Sequence, residues 1–310
     1  MSRKRSGIPL HGWINVDKPE GLSSAAVVAR VRRMTNAAKA GHGGTLDPLA
    51  SGILPVALGE ATKTVSYVMD GEKSYRFRIR WGEARTTDDR EGDVSDTNPH
   101  RPVTGDILAA LPAFTGILSQ TPPTFSAIKL AGRRACDLAR SGRDVPELAA
   151  RNVTIHSLLL LDQPDSDHAD FLVRCGKGTY IRSLARDLAQ ALGTYGYVAA
   201  LRRTSCGPFR EETAISLERL DDLGHSAPTM SFILPLETVL ADIPALALSD
   251  DEARRLRNGQ PLAVPLLTTP PPSSAIPGSP LVAMTEGKAA ALVGIVDGMV
   301  RPMRVFNLLS

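Results

Sequence analysis

Cysteine is scarce here. Three residues in 310, Cys136, Cys175 and Cys206, are odd in number, far apart and without a C-x-x-C pair, which excludes a disulfide framework and a zinc knuckle. A reducing cytoplasm is the natural compartment. Six histidines occur without H-E-x-x-H or any close pair, and neither G-x-x-x-x-G-K-[ST] nor G-x-G-x-x-G is present. Metal, nucleoside triphosphate and dinucleotide chemistry therefore lose their usual support. No run approaches the ~18 apolar residues of a membrane span, and the basic start Met1 to Gly7 leads to Pro9 and His11 instead of an apolar signal core. The chain is expected to be neither secreted nor membrane-embedded.

Net charge is also small, +3 from 36 Lys and Arg against 33 Asp and Glu, which by itself points to no polyanionic partner. Its distribution is more telling: +7 over 1–80 and +5 over 122–210, against −4 over 81–121 and −5 over 211–310. Two basic segments can share one face. Of the basic residues 28 are Arg and 8 Lys, and a planar guanidinium suits phosphate oxygens. The same bias would follow from a high-GC genome. With 43% apolar residues, the length suits one large domain, or a large and a small one, each able to bury a core.

Ser23 and Ser24 precede Val27, Val28, Val31 and Met34 at helical spacing, with Arg30, Arg32 and Arg33 largely elsewhere, which predicts an amphipathic helix with a basic side. From Tyr75 to Trp81 apolar residues alternate strictly with Arg76, Arg78 and Arg80, which predicts a strand. Residues 82–106 hold turn formers and acids without an apolar period and read as a solvated loop, with Asp88 and Asp89 as solvated turn residues. Residues 171–175 predict a short strand, Gly176-Lys177-Gly178 a turn, and Ile181, Leu184, Ala185, Leu188 and Leu192 a helix closed by Gly193. Near 240 the character changes. Ser249 and Glu252 form a capping-box pattern, strand-like runs follow at 281–285, 289–296 and 299–306, and residues 265–280 hold six prolines in what reads as an exposed loop.

The densest peculiarity is Gly41-His42-Gly43-Gly44-Thr45-Leu46-Asp47-Pro48, three glycines leading to one carboxylate. Asp before Pro reads equally well as a helix N-cap with Pro at the first helical position. A lone Asp does little chemistry by itself.

The stretch GHGGTLDPLASGILPVALGEATK, from Gly41, closely resembles the signature of the bacterial tRNA pseudouridine synthase B (TruB) family. Lys18-Pro-Glu-Gly-Leu-Ser-Ser24, Lys73-Ser-Tyr-Arg76, Gln120 to Lys129, Cys175 to Arg182 and Leu201-Arg-Arg203 support it in the family's order. The resemblance covers residues 11 to about 240. It implies an α+β pseudouridine-synthase fold: a mixed, mainly antiparallel central sheet flanked by helices over 1–240, with a basic insertion at about 124–152. Residues 241–310 look like the family's PUA-type RNA-binding β-barrel, from which the Pro-rich loop departs. Gly43 stands where the family commonly has Thr, a change expected to affect loop flexibility more than chemistry.

The implied activity is isomerisation of the T-loop uridine of tRNA, position 55, to pseudouridine, without cofactor or required metal. Asp47 resembles the family's nucleophile, which attacks ribose C1′ or uracil C6; the sequence does not choose. Arg182 aligns with the arginine paired to it, and a cation in the first turn of a helix opposes the macrodipole unless an anion compensates. A neighbouring guanidinium favours the ionised carboxylate a nucleophile needs. Tyr75 resembles the tyrosine that stacks on the target base, Tyr180 and Leu201 match residues lining the same pocket, and His42 aligns with the histidine that fills the space left by the flipped nucleotide. Among binding residues, Lys129, Arg133, Arg134 and Arg140, with Arg143 and Arg151, belong to the clamp-like insertion. Lys177 offers a phosphate contact and Lys18 supports the active-site loop.

The partner implied is the T-stem-loop of tRNA, with no obligate protein partner, and the chain is expected to be a monomer. A module that flips and folds tRNA without chemistry is the other reading, since flipping needs only the basic and aromatic parts. A glycoside hydrolase is weakened because only one acid sits in the recognisable site.

Overall fold

The computed structural model describes residues 7–126, 128–130, 133–134, 146, 148–223, 231–276 and 278–308. Its centre is a ten-stranded mixed sheet. Edge to edge it runs Ile215–Ser216, Gly12–Lys18, Ser51–Leu58, Gly196–Cys206, Lys73–Trp81, His168–Cys175, Arg151–Asp165 and Gly116–Gln120, with Ala40–His42 on Ser51–Leu58 and Phe209–Arg210 on Gly196–Cys206. Most pairings are antiparallel; Ile215–Ser216 on Gly12–Lys18 and Ser51–Leu58 on Gly196–Cys206 are parallel.

The alternating strand is central because both its neighbours pair with it: it places Phe77, Ile79 and Trp81 in the core. The register fixes the site, setting Tyr75 opposite Arg203 and Phe77 opposite Leu201. The helix Ser24–Thr35 starts at Ser23, whose side chain accepts the Ala26 N–H, and stops at Asn36 in the left-handed region, φ 48°. It buries Val27 and Val31. The helix Ile181–Ala191 buries Ile181, Leu184, Ala185 and Leu188, and Gly193, φ 71°, follows its end.

Residues 82–106 are more ordered than their composition predicts. Glu83–Arg85 pairs with Val94–Thr97 in a hairpin, and Thr104–Ala110 is a helix. Side-chain bonds replace an apolar period there: Arg85 donates to the Gly92 carbonyl, Asp89 accepts the Glu91 N–H, and Ile107 alone anchors the short helix. Asp47–Pro48 does not start a helix either. It forms a tight turn, Ala50 N–H to Asp47 carbonyl at 3.1 Å, that leads straight into the strand Ser51–Leu58.

The tail forms a five-stranded curled sheet in the order Ala245–Ala247, Leu281–Thr285, Lys288–Val296, Met299–Val305, Leu262–Ala263. The Ser249–Glu252 capping box opens the helix Asp250–Arg257, and Glu252 also accepts the Thr268 N–H at 2.7 Å, tethering the Pro-rich loop. That loop begins with one 3₁₀ turn, Val264–Leu266. One apolar cluster joins the sheets: Trp13, Ile53, Ala57 and Val68 pack with Val282, Leu292 and Phe306. Among the described residues no helix is long and apolar enough to cross a membrane.

Candidate active site

Asp47 sits on a loop pinned from three sides by buried polar groups. Lys18, fully buried, donates to the carbonyls of Pro19, Leu22 and Pro48 at 2.9, 2.7 and 3.2 Å. Ser24 pairs with both backbone groups of Leu46. Arg203, also buried, donates to the carbonyls of Gly44, Thr45 and Ile53. Backbone carbonyls held in this way cannot sag, so the loop presents one carboxylate in one place. Gly52, φ 102°, permits the closest approach: a Cβ there would lie 2.2 Å from the Arg203 carbonyl.

Arg182 reaches Asp47 from the second position of its helix. Its Nε donates to Asp47 Oδ2 at 2.9 Å, Nη1 to the Thr87 carbonyl at 2.8 Å and Nη2 to the Phe125 carbonyl at 2.9 Å. The guanidinium is thus bound on every edge, and Asp89 Oδ2 stands 3.5 Å from Nη1. The pair is a wall between two cavities. One, of about 280 Å³, is lined by Asp47, Tyr75, Tyr180, Arg182, Leu201 and Arg203. The other, of about 330 Å³, lies on the side of Thr87, Asp89 and Glu91.

Burial pushes the Tyr75 phenol up to about 12, against the opposing pull of the Arg203 guanidinium. Burial raises Tyr180 as well, so both rings stay neutral near pH 7. Desolvation, then Arg203, lowers His42, which is therefore uncharged at neutral pH. Lys18 is brought down to about 8 by burial, with Asp47 opposing. The cavity thus joins a carboxylate, a fixed cation, two neutral aromatic faces and an apolar wall at Leu201. That set can attack an electrophilic carbon, hold a flat ring and exclude water.

The profile of the TruB family pseudouridylate synthase N-terminal domain matches residues 32–181, and that of the tRNA pseudouridylate synthase B C-terminal domain matches 182–241. The chain belongs to the TruB family. It is 55% identical to the tRNA pseudouridine synthase B of Rhodospirillum rubrum over 99% of this chain and all of that one. It is 50% identical to that of Caulobacter vibrioides, again over 99% of this chain and all of the relative. Among solved structures it resembles a Cbf5-Nop10-Gar1 complex, with TM-score 0.74, 29% identity, and coverage of 96% of this chain and 85% of that chain. An archaeal box H/ACA sRNP Nop10-Cbf5 complex matches with TM-score 0.74 and 26% identity over 99% of this chain and 93% of that one. The fold is that of a pseudouridine synthase: α+β, with a mixed, mainly antiparallel sheet and a small curled C-terminal sheet.

On this TruB-family framework the expected residues separate. Asp47, Tyr75, Tyr180, Arg182 and Leu201 share the cavity. His42 lies close by on the strand that leads into the loop, its Nδ1 enclosed without a partner. Lys177 is exposed on the rim between Gly176 and Gly178 and pairs with Asp70 at 3.0 Å. Lys18, grouped with the binding residues, has no face open to RNA; all its bonds go to the chain beneath the loop. Arg151 places its guanidinium 5.9 Å from the Tyr180 ring centre. Of the insertion, Lys129 and Arg133–Arg134 form a two-stranded ladder, and Arg140 and Arg143 lie outside the described residues.

Two further expectations change. Asp88 and Asp89 are not solvated turn residues: Asp88 pairs with Arg186 at 3.0 Å, and Asp89, 3% exposed, faces Arg182. A second acid therefore stands at the site, but it shares the guanidinium of the first and does not oppose it across the cavity as paired hydrolase carboxylates do. Gly43 is a packing requirement more than a flexible link, since a Cβ there would lie 2.8 Å from Val68 Cγ1. Arg203, Ser24 and Gln120 were missed as site residues. Arg203 lies in the Leu201-Arg-Arg203 motif, but nothing local distinguishes it from the half-exposed Arg202, which pairs with Asp17 and Glu211.

Proposed function

We propose that this chain isomerises a T-loop uridine of tRNA, at position 55, to pseudouridine in the cytoplasm, as a monomer and without cofactor. The single observation that carries the reading is the Asp47–Arg182 pair at 2.9 Å, set in a cavity walled by Tyr75, Tyr180 and Leu201 and carried by a family framework that spans the chain. The uracil must leave the helix stack to enter this cavity and reach the carboxylate on its wall. Tyr75 offers its face to the ring and Leu201 keeps water from the reacting centre.

Asp47 then attacks, at C1′ with departure of uracil from the N1–C1′ bond, or at C6 to give an adduct of the ring whose N1–C1′ bond then breaks. In either route the base turns, C5 bonds to C1′, Asp47 is released, and the C5 proton is lost as N1 gains one. The reaction is an isomerisation and balances without oxidant or metal. Among the described residues no three His, Cys, Asp or Glu side chains gather as a metal site.

The test is tritium release from a T-stem-loop transcript carrying 5-tritiated uridine. Release by the unmodified protein, loss by more than ~10³-fold in Asp47→Asn, and RNA binding within about threefold in both are expected. Tight, salt-sensitive binding with no release by either protein would favour a tRNA-folding module instead.

A further inference from the structure

Gln120 belongs to a motif whose other members lead into the basic insertion, and the chemistry just described does not use it. It ends the edge strand Gly116–Gln120 and is buried, 2% exposed. Its side chain does not reach the cavity. It pairs with both backbone groups of one residue: Nε2 donates to the Tyr180 carbonyl at 3.2 Å, and Oε1 accepts the Tyr180 N–H at 2.8 Å.

That pairing has a physical reason. Tyr180 precedes the helix Ile181–Ala191 with extended backbone, φ −101° and ψ 114°, and no side chain caps the helix there. Its N–H has no partner within the helix and its C=O, which accepts the first helical bond from the Leu184 N–H at 3.0 Å, keeps a second lone pair; a primary amide offers the complementary acceptor and donor. The first turn of the helix is anchored separately. The Thr121 carbonyl accepts from Ser183 Oγ at 2.8 Å and Arg186 Nη2 at 3.0 Å, and the Phe125 carbonyl accepts from Arg182 Nη2. The Tyr180 carbonyl is shared with the Leu184 N–H at 3.0 Å, so among the described residues what Gln120 alone holds is the Tyr180 N–H, behind a ring that lines the cavity.

We propose that Gln120 is a positioning residue, whose amide clamps the Tyr180 backbone and so sets where the Tyr180 ring meets the flipped nucleoside. The proposal rests on the uridine-isomerase reading. Small displacements of a positioning group cost rate more than binding, because the reacting atoms must be aligned at the moment of attack.

The experiment compares Gln120→Met with the unmodified protein, and the same pair in a Tyr180→Ala background, by single-turnover tritium release and by T-stem-loop binding. Hydrogen exchange at the Tyr180 amide is read alongside. The expected result is a fall in rate of about 10-fold with RNA affinity within ~2-fold, and a cost below ~2-fold once the Tyr180 ring is absent. The Tyr180 amide should exchange faster in the variant. Gln120→Leu, which removes both the acceptor and the donor in a different apolar shape, is read in the same way if the Met variant folds poorly. Equal costs in both backgrounds, a rate loss matched by lost binding, or unchanged amide exchange would overturn the proposal. Absence of release by the unmodified protein would instead overturn the isomerase reading, while amide exchange would still report the clamp.

Discussion

Arg182 divides one guanidinium between two carboxylates in different settings: Asp47, whose side chain is 36% exposed, at 2.9 Å, and Asp89, whose side chain is 4% exposed, at 3.5 Å. The buried acid fixes the cation, and the cation aims the exposed acid. Asp89 is itself held by the Thr87 hydroxyl and the Glu91 N–H. Geometry is thus passed from the hairpin region to the cavity through charged contacts with little freedom to move.

Removing the buried acid should be felt twice. Asp89→Ala leaves Arg182 buried with less compensation and frees two donors, and it is expected to lower stability by about 3 kcal/mol. Turnover should fall more than RNA affinity, since Asp47 loses its aim. Chemical denaturation with parallel tritium-release and binding assays checks both, and an unchanged unfolding midpoint would show that the pair carries no structural weight.

Tyr75 stays a neutral phenol, because burial pushes it up to about 12. The role proposed for it then falls to its ring and not to an ionised oxygen. Tyr75→Phe should keep at least ~10% of the turnover, and Tyr75→Leu should fall a further ~10-fold, in line with the worth of one base stacked on an aromatic. Equal losses in the two variants would assign the role to the hydroxyl.

His42 contributes to acid sensitivity. Its folded value lies below the unfolded 6.5, chiefly by desolvation. As pH falls through 6.5, the unfolded chain takes up a proton that the folded chain refuses, so stability declines on acidification until the folded value is passed. Urea midpoints measured from pH 8 to pH 5 should fall less steeply in His42→Gln than in the unmodified protein. Parallel slopes would place the acid sensitivity elsewhere.

At Gly43 the contact with Val68 decides. Gly43→Thr should destabilise by about 1–3 kcal/mol through overpacking, and Val68→Ala should relieve part of that cost in the double variant. Additive losses in thermal melts would show that the two side chains do not compete for one space.

Local pattern carried much of the fold. The strand Lys73–Trp81 was legible because a half-buried strand must alternate, and the helix Ser24–Thr35 because its serine cap and apolar spacing agree. The hairpin of Glu83–Arg85 and Val94–Thr97 was not, since side-chain bonds to backbone hold it and leave no periodic trace. Asp47–Pro48 matched a helix start in every local respect and made a turn, because the strand that follows is claimed by its neighbours in the sheet.

The sequence by itself determined the family, the carboxylate and the residue types around it, since these are written as contiguous motifs whose chemistry does not depend on distance. Only the tertiary structure decided what holds Arg182, the arginine that the family motifs pair with Asp47, in its place. Arg182 stands 135 residues away in the chain, and Asp89 and Gln120 acquire their roles through burial against groups remote in sequence. Charge and spacing are local properties of a chain. Burial is not, and burial is what separates a solvated aspartate from one that holds a buried arginine against Asp47.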